Sequence, residues 1–245
     1  MLRDYRKEFE DRVAFIRARL ADAHAKGVVF GNSGGKDCAL VGILCKAACE
    51  NTLGVLLPCA AKQNYGSDTD DALALARQFG IETRTVDLTA AREAVLAALA
   101  DSGSEVTDAA VANIAPRRRM TALYTIAHAE GRLVAGTGNR SERYMGYFTK
   151  WGDGAFDFDP IADLTVTEIY EFLDWLDAPA HIREKAPSAG LFEGQTDEAE
   201  MGVTYAAIDG FLLRGEVNEA DRAVIERYHS RAGHKLTPPP LYGAE

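Results

Sequence analysis

Apolar positions recur along the chain at two periods. Between residues 2 and 25, charged side chains surround Phe9, Val13, Ile16 and Leu20, spaced three or four apart, which predicts an amphipathic helix. The period then changes. Gly27-Val28-Val29-Phe30 is a short continuous apolar run, the pattern of a buried strand, and the apolar stretch from Lys36 to Glu50 predicts the helix after it. The alternation repeats, with strands expected over 53–57, 82–86 and 132–135 and helices up to Phe79, over 89–100 and over about 105–129. Ser67-Asp68-Thr69-Asp70 has the spacing of a capping box opening the helix that ends at Phe79. Strands alternating with helices predict an α/β fold, a doubly wound parallel sheet with helices on both faces.

From Gly136 to Pro160 the pattern loosens, and Gly136, Gly138, Gly146, Gly152 and Gly154 punctuate aromatic and charged residues. A glycine-rich loop of this length is usually functional. Helices are expected again at about 165–177 and 197–232, ahead of an extended Pro238-Pro239-Pro240 tail. No internal repeat, low-complexity tract or linker divides the 245 residues, so a single domain over 1–245 is expected.

Composition narrows the class. Apolar residues make up 47% and charged residues 26%, the balance of a globular protein with a sizeable core. A formal net charge of −10 disfavours nucleic acid as the main partner, because that affinity needs a cationic excess. The first eight residues carry five charges and no apolar core, unlike a signal peptide, and no uncharged run has the length of a membrane span. Cys38, Cys45, Cys49 and Cys59 lack the CxxC spacing of zinc or redox sites. Cys38, Cys45 and Cys49 share one helical face and read as small buried hydrophobes rather than cluster ligands. Free thiols and the missing leader predict cytoplasmic residence.

Chemistry concentrates after the first strand, in Gly31-Asn32-Ser33-Gly34-Gly35-Lys36-Asp37. In an open parallel sheet, ligands sit beyond the carboxyl ends of strands, where helix N-termini offer free N–H donors and a positive dipole. Small residues let the backbone approach an anion, and Lys36 adds a positive charge. Asp37 suits a different partner, Mg²⁺ bridging phosphates. The spacing is neither GxxxxGK[ST] nor GxGxxG.

The loop resembles the SGGxDS signature of the ATP pyrophosphatase superfamily, with Cys38 in place of the final serine. Gly136-Thr-Gly-Asn-Arg-Ser-Glu142, Gly146-Tyr-Phe-Thr-Lys-Trp-Gly-Asp-Gly154, Asp159-Pro-Ile161, Pro187-Ser-Ala189, Gly194-Gln-Thr-Asp-Glu198 and His234-Lys235 follow in order. Together these blocks resemble the ammonia-dependent NAD synthetases and cover most of the chain. The resemblance implies an adenine nucleotide alpha hydrolase-like fold, a homodimer, and a ligase that forms a C–N bond. ATP is the implied co-substrate and Mg²⁺ the implied cofactor, with deamido-NAD⁺ and ammonia as the other partners.

The same resemblance assigns roles. Gly31, Asn32, Ser33, Gly34, Gly35, Lys36, Asp37, Cys38, Thr137 and Ser188 would meet ATP, and Asp37 and Glu142 would hold Mg²⁺. Arg117, Lys150, Asp157, His234 and Lys235 match positions that bind deamido-NAD⁺. No residue is implied as a nucleophile. A lysine that meets ATP in the family is replaced by Val166, and Lys36, Arg183 and Lys185 are the basic residues able to stand in for it.

The chemistry agrees. Adenylation converts a carboxylate oxygen into a good leaving group, after which ammonia attacks without an enzyme nucleophile. The protein must align the carboxylate with the α-phosphate and screen negative charge. Duller readings stand beside each residue. Glu142 and Asp157 read equally as solvated loop carboxylates, Arg117 to Arg119 as an exposed basic turn, Lys150–Trp151 as a surface cation–π pair, and His234 as structural. A tRNA sulfur transferase would need a CxxC pair and a basic surface, and a non-catalytic nucleotide-binding module would not need both acidic ligands.

Overall fold

The computed structural model describes residues 3–60, 66–185 and 196–243. Four strands form the sheet: β1 (Gly27–Gly31), β2 (Thr52–Leu56), β3 (Glu82–Thr85) and β4 (Arg132–Val134). All pairings are parallel and the order is β3-β2-β1-β4. Each strand lies within one residue of its expected span. Val28 pairs with Thr52 on one side and Leu133 on the other, which places β1 at the centre. The chain winds outward from β1 through β2 to β3, then returns to the opposite side of β1 for β4. A topological switch point therefore lies between β1 and β4, where ligands bind in open α/β sheets.

Side-chain alternation along the strands builds two separate cores. Val28 and Phe30 join Ile16 and Leu20 of α1 (Tyr5–Asp22), Leu40 and Leu44 of α2 (Lys36–Ala48), and Ile169, Phe172 and Leu173 of α8 (Val166–Trp175). Val29, Leu53 and Val55 point the other way, onto Ala115 and Ala127 of α6 (Ile114–Glu130). The Phe30 ring fills the space above Gly42, where a Cβ would come within 2.7 Å of it. Cys38 and Cys45 are buried as free thiols, in line with the apolar reading, while Cys49 on the same face is half-buried and Cys59 is buried elsewhere. Burial pushes the Cys38 and Cys45 thiols upward, so they stay neutral.

Several helices differ from their expected spans. The helix α3 (Ser67–Phe79) has Gly66 at its N-cap, so it begins one residue before the start that the Ser67 capping box predicts, and Ser67 is already the first helical residue. The stretch expected as one helix over 105–129 is α5 (Asp108–Ala112) followed by α6, because Pro116 has no N–H to continue the ladder. Residues 197–232 divide into α10 (Asp197–Met201), α11 (Tyr205–Arg214) and α12 (Glu219–Leu236). Gly202 and Gly215, both at φ 73°, end the first two. Shorter helices, α7 (Arg140–Met145) and α9 (Ala180–Arg183), and α4 (Thr89–Asp101) complete the described set. Next to the sheet, α7, α10, α11 and α12 enclose a third core around Met145, Met201, Tyr205, Ile208 and Ile225, which Val166 also joins.

Candidate active site

The turn after β1 is shaped by its own side chains. Asn32, almost fully buried, accepts from Gly34 N at 3.3 Å and donates to Ala72 O of α3 at 3.3 Å. Ser33 Oγ accepts from Gly35 N at 3.3 Å and lies 3.2 Å from Cys38 Sγ. Gly34 is left-handed at φ 74° and packs so closely on α3 that a Cβ would meet Asp68 O at 2.3 Å. The next residues begin α2, whose first N–H groups have no partner within the helix and face the turn. With Gly34 N and Gly35 N turned onto the loop's own side chains, the donors left for an anion are the first N–H groups of α2.

The loop after β4 meets it. Asn139 caps α7 in a reciprocal box, accepting from Glu142 N at 2.9 Å, while Glu142 Oε2 accepts from Asn139 N at 3.3 Å. The same Asn139 donates to Asp37 Oδ1 at 3.1 Å. Lys36, buried at the start of α2, donates to the other oxygen, Asp37 Oδ2, at 2.8 Å. Burial and the neighbouring Asp37 charge push the Glu142 carboxyl well above the usual range, and Lys36 opposes the shift.

Lys36, Asp37 and Glu142 line a cleft of about 630 Å³ at the carboxyl end of the sheet. Its floor is Gly31, Asn32, Ser33, Gly35 to Cys38 and Val134 to Gly138, so Thr137 is included. One wall is the end of β2, Val55 to Pro58, and the face of α6 carrying Pro116, Arg119, Met120 and Leu123. Arg119 is anchored there by donating from Nε to Leu57 O at 3.0 Å, and burial lowers its pKa. Lys185, Asp197 and Tyr170 close the opposite side.

Of the residues matched to the dinucleotide, Lys235 lines the cleft, whereas Arg117, Lys150, Asp157 and His234 lie outside its lining. Lys235 lines the cleft and donates to Gly146 O at 2.8 Å and Phe148 O at 2.7 Å, clamping α12 to the glycine-rich loop. Lys150 lies 5.4 Å from the Trp151 ring centroid and donates to His234 O, so the surface cation–π pair is present as well. His234 and Arg117 are exposed and outside the cleft lining. Asp157 sits on the edge of β4: its Oδ2 accepts from Val134 N at 2.7 Å and its Oδ1 from Tyr124 OH at 3.2 Å. Ser188 lies outside the described residues. Arg119 is a cleft residue that sequence reasoning missed; the helical spacing of Pro116, Met120 and Leu123 selects it over Arg117.

The donor set also tests the fit of a metal. Asp37 and Glu142 are two close, partly buried carboxylates, a charge pair that a dication relieves, and their oxygens suit a hard ion such as Mg²⁺. Among the described residues no group of three or more His, Cys, Asp or Glu side chains forms a metal cage.

The family profile described as NAD synthase matches residues 8–236. The chain belongs to the NAD synthase family. A relative from Carboxydothermus hydrogenoformans, named NH(3)-dependent NAD(+) synthetase, is 42% identical over 95% of both chains. Among solved structures, the NMN synthetase from Francisella tularensis has a TM-score of 0.92 at 37% identity, covering 99% of this chain and 100% of that one. The NH3-dependent NAD synthetase from Campylobacter jejuni has a TM-score of 0.77 at 30% identity, covering 98% and 99%. This NAD synthase fold is therefore adenine nucleotide alpha hydrolase-like, as expected. Membership leaves the tRNA sulfur transferase reading without support.

Proposed function

We propose that the chain is a C–N ligase that amidates deamido-NAD⁺ with ammonia and ATP, giving NAD⁺, AMP and pyrophosphate. The observation that carries this reading is the junction of two loops at the switch point, where Asn139 joins Asp37 to the helix bearing Glu142. The names of the curated relatives support the same reaction. The backbone after Ser33 and the N-terminus of α2 bind the triphosphate, with Thr137, Ser188 and the neutral Cys38 thiol as further donors. Mg²⁺ at Asp37 and Glu142 supplies charge neutralisation of the phosphates when bound. Arg117, Lys150, Asp157, His234 and Lys235 orient the nicotinate nucleotide so that its carboxylate oxygen attacks the α-phosphate and expels pyrophosphate. Ammonia then attacks the acyl carbon and AMP leaves. The protein contributes alignment and fixed positive charge rather than a covalent nucleophile.

A second reading keeps the reaction and shortens the substrate to the nicotinate mononucleotide. It is favoured by the TM-score of 0.92 to a protein named as an NMN synthetase. One assay separates them. The protein is incubated with ATP, Mg²⁺, ammonium and either nucleotide, and the amide and pyrophosphate are quantified. Higher kcat/KM with deamido-NAD⁺ supports the first reading and higher kcat/KM with the mononucleotide the second. Nucleotide binding without pyrophosphate release from either mixture points to a binding module. Glutamine in ammonia-free buffer is expected to give no product. We further propose a single catalytic domain working as a cytoplasmic homodimer. None of the helices in the described residues is long and apolar enough to cross a membrane.

A further inference from the structure

Lys36 is a buried lysine whose ammonium faces acidic side chains. Only 6% of the residue is exposed, and its Nζ donates to Asp37 Oδ2 at 2.8 Å. The same Nζ stands 5.7 Å from the centroid of the Tyr205 ring. Glu142 lies within electrostatic reach, and Tyr205 OH donates to Asp197 Oδ2 at 3.0 Å. Two carboxylates, Asp37 and Glu142, thus act on one ammonium at the edge of the cleft. Without Lys36, Asp37 and Glu142 would face each other with no internal cation.

Position 166 approaches the same point from another helix. Val166 belongs to the same apolar core as Met145 and Tyr205, and its N–H donates to Ser141 Oγ at 3.4 Å, one residue before Glu142. Tyr205 therefore links the two positions, sharing an apolar core with Val166 and carrying its ring near the Lys36 ammonium. The other basic residues near this point are committed elsewhere. Lys185 donates to Asp68 Oδ1 at 2.8 Å and Asp71 Oδ2 at 2.7 Å, and Arg183 donates to Asp174 Oδ1 at 2.6 Å, outside the cleft.

We propose that Lys36 is the resident counter-cation of the Asp37–Glu142 pair, offsetting negative charge there before any metal arrives and supplying the positive charge that valine denies to position 166. Resting on the proposed ATP-dependent function, this makes Lys36 a positioning residue that acts through Asp37. With Lys36 in place, free divalent metal is repelled by the ammonium and binds weakly on its own. Once the metal enters with a triphosphate, the same ammonium adds one positive charge against the phosphates. Metal and nucleotide affinities are therefore expected to move in opposite directions when the lysine is neutralised.

The test uses Lys36→Met, which keeps the length and removes the charge. Mn²⁺ alone is titrated into nucleotide-free protein by electron paramagnetic resonance, and α,β-methylene-ATP with Mg²⁺ by calorimetry. The expected result is Mn²⁺ binding at least about fivefold tighter and nucleotide binding about ten- to a hundredfold weaker, with nucleotide binding largely restored in Lys36→Met/Val166→Lys. Mn²⁺ affinity that is unchanged or lower, or no rescue by the second substitution, overturns the proposal. If Lys36→Met does not fold, Val166→Lys alone decides. It should change nucleotide affinity less than about threefold, and a tightening of tenfold or more would show that the site lacked its cation. Wild-type protein that binds no nucleotide analogue would overturn the proposed function, and the Mn²⁺ shift would then judge Lys36 by itself.

Discussion

Asn139 Nδ2 donates to Asp37 Oδ1 at 3.1 Å, so the loop after β4 fixes a carboxylate carried by the helix after β1. Asn139 is fully buried and also caps α7. Aspartate caps helices about as well as asparagine but has no N–H to give. Asn139→Asp is therefore expected to keep the fold while placing a carboxylate against Asp37. Turnover should fall at least tenfold, with a melting temperature within a few degrees of wild type. Unchanged kcat/KM for ATP would show that the Asn139–Asp37 bond is not used.

Glu142 has two jobs, because it closes the capping box on α7 as well as facing Asp37. Glutamine retains an oxygen to accept from Asn139 N, whereas alanine removes it. Glu142→Gln should lower activity at least a hundredfold, about 3 kcal/mol of barrier, with little loss of stability. Glu142→Ala should add a loss of about 1 kcal/mol in unfolding free energy. Near-normal turnover in the glutamine variant would end the metal-ligand assignment. Denaturant curves of the two variants separate the roles.

The turn itself is expected to be intolerant at Gly34. An alanine there would hold a left-handed φ of 74° and place its Cβ 2.3 Å from Asp68 O, which is backbone and must move. The strain alone costs about 1–3 kcal/mol. Gly34→Ala should lower the melting temperature and weaken ATP binding together. An alanine variant with wild-type ATP affinity would show that the loop accommodates ATP in more than one shape.

Much of this arrangement was legible because burial writes itself into the apolar pattern. Val28 to Phe30 and Thr52 to Leu56 are buried almost throughout, and their runs located β1 and β2. Strand order was less accessible, since β4 pairs with β1 across more than a hundred residues and that pairing leaves no local mark. The caps were mislaid for a different reason. Ser67-x-x-Asp70 has suitable spacing, yet the chain enters α3 one residue earlier. Thr165-x-x-Glu168 and Asn139-x-x-Glu142 form the boxes, and their spacing was equally readable. In the site, the motif located Asp37 and Glu142, while Arg119 depended on which face of α6 turned to the sheet. That face is a property of packing, visible only through Pro116, Met120 and Leu123 taken together.

Assembly gives a further expectation. The Lys150–Trp151–His234 group projects from the rim, with Trp151 53% exposed at φ 62°. A homodimer would have a mass of about 53 kDa, twice the 26.5 kDa chain. Light scattering at that value supports the proposed dimer. A fully active monomer would exclude it.

Asp159 makes the stability of this region depend on pH. Its Oδ2 accepts from Gly138 N at 3.2 Å and its Oδ1 from Ile161 N at 3.0 Å, behind the loop that carries Thr137 and Asn139. Burial is the largest influence and raises its pKa from 3.8 to about 6; the Asp37 charge adds to this, while Arg143 and the two N–H donors oppose it. A carboxyl raised on folding binds its proton more tightly in the native state. Its stabilising contribution is full below the unfolded pKa of 3.8 and is lost as pH rises through about 6. Between pH 4 and pH 7 the loss is on the order of 2–3 kcal/mol. Asp159→Asn does not titrate, so its unfolding free energy, measured in urea across that range, should rise relative to wild type as pH increases. It starts lower at pH 4, because the amide N–H₂ replaces one of the two acceptors and faces an N–H. Parallel pH profiles for the two proteins would show that Asp159 titrates alike in the folded and unfolded chains, and that the protonated carboxyl does not stabilise the loop holding Thr137.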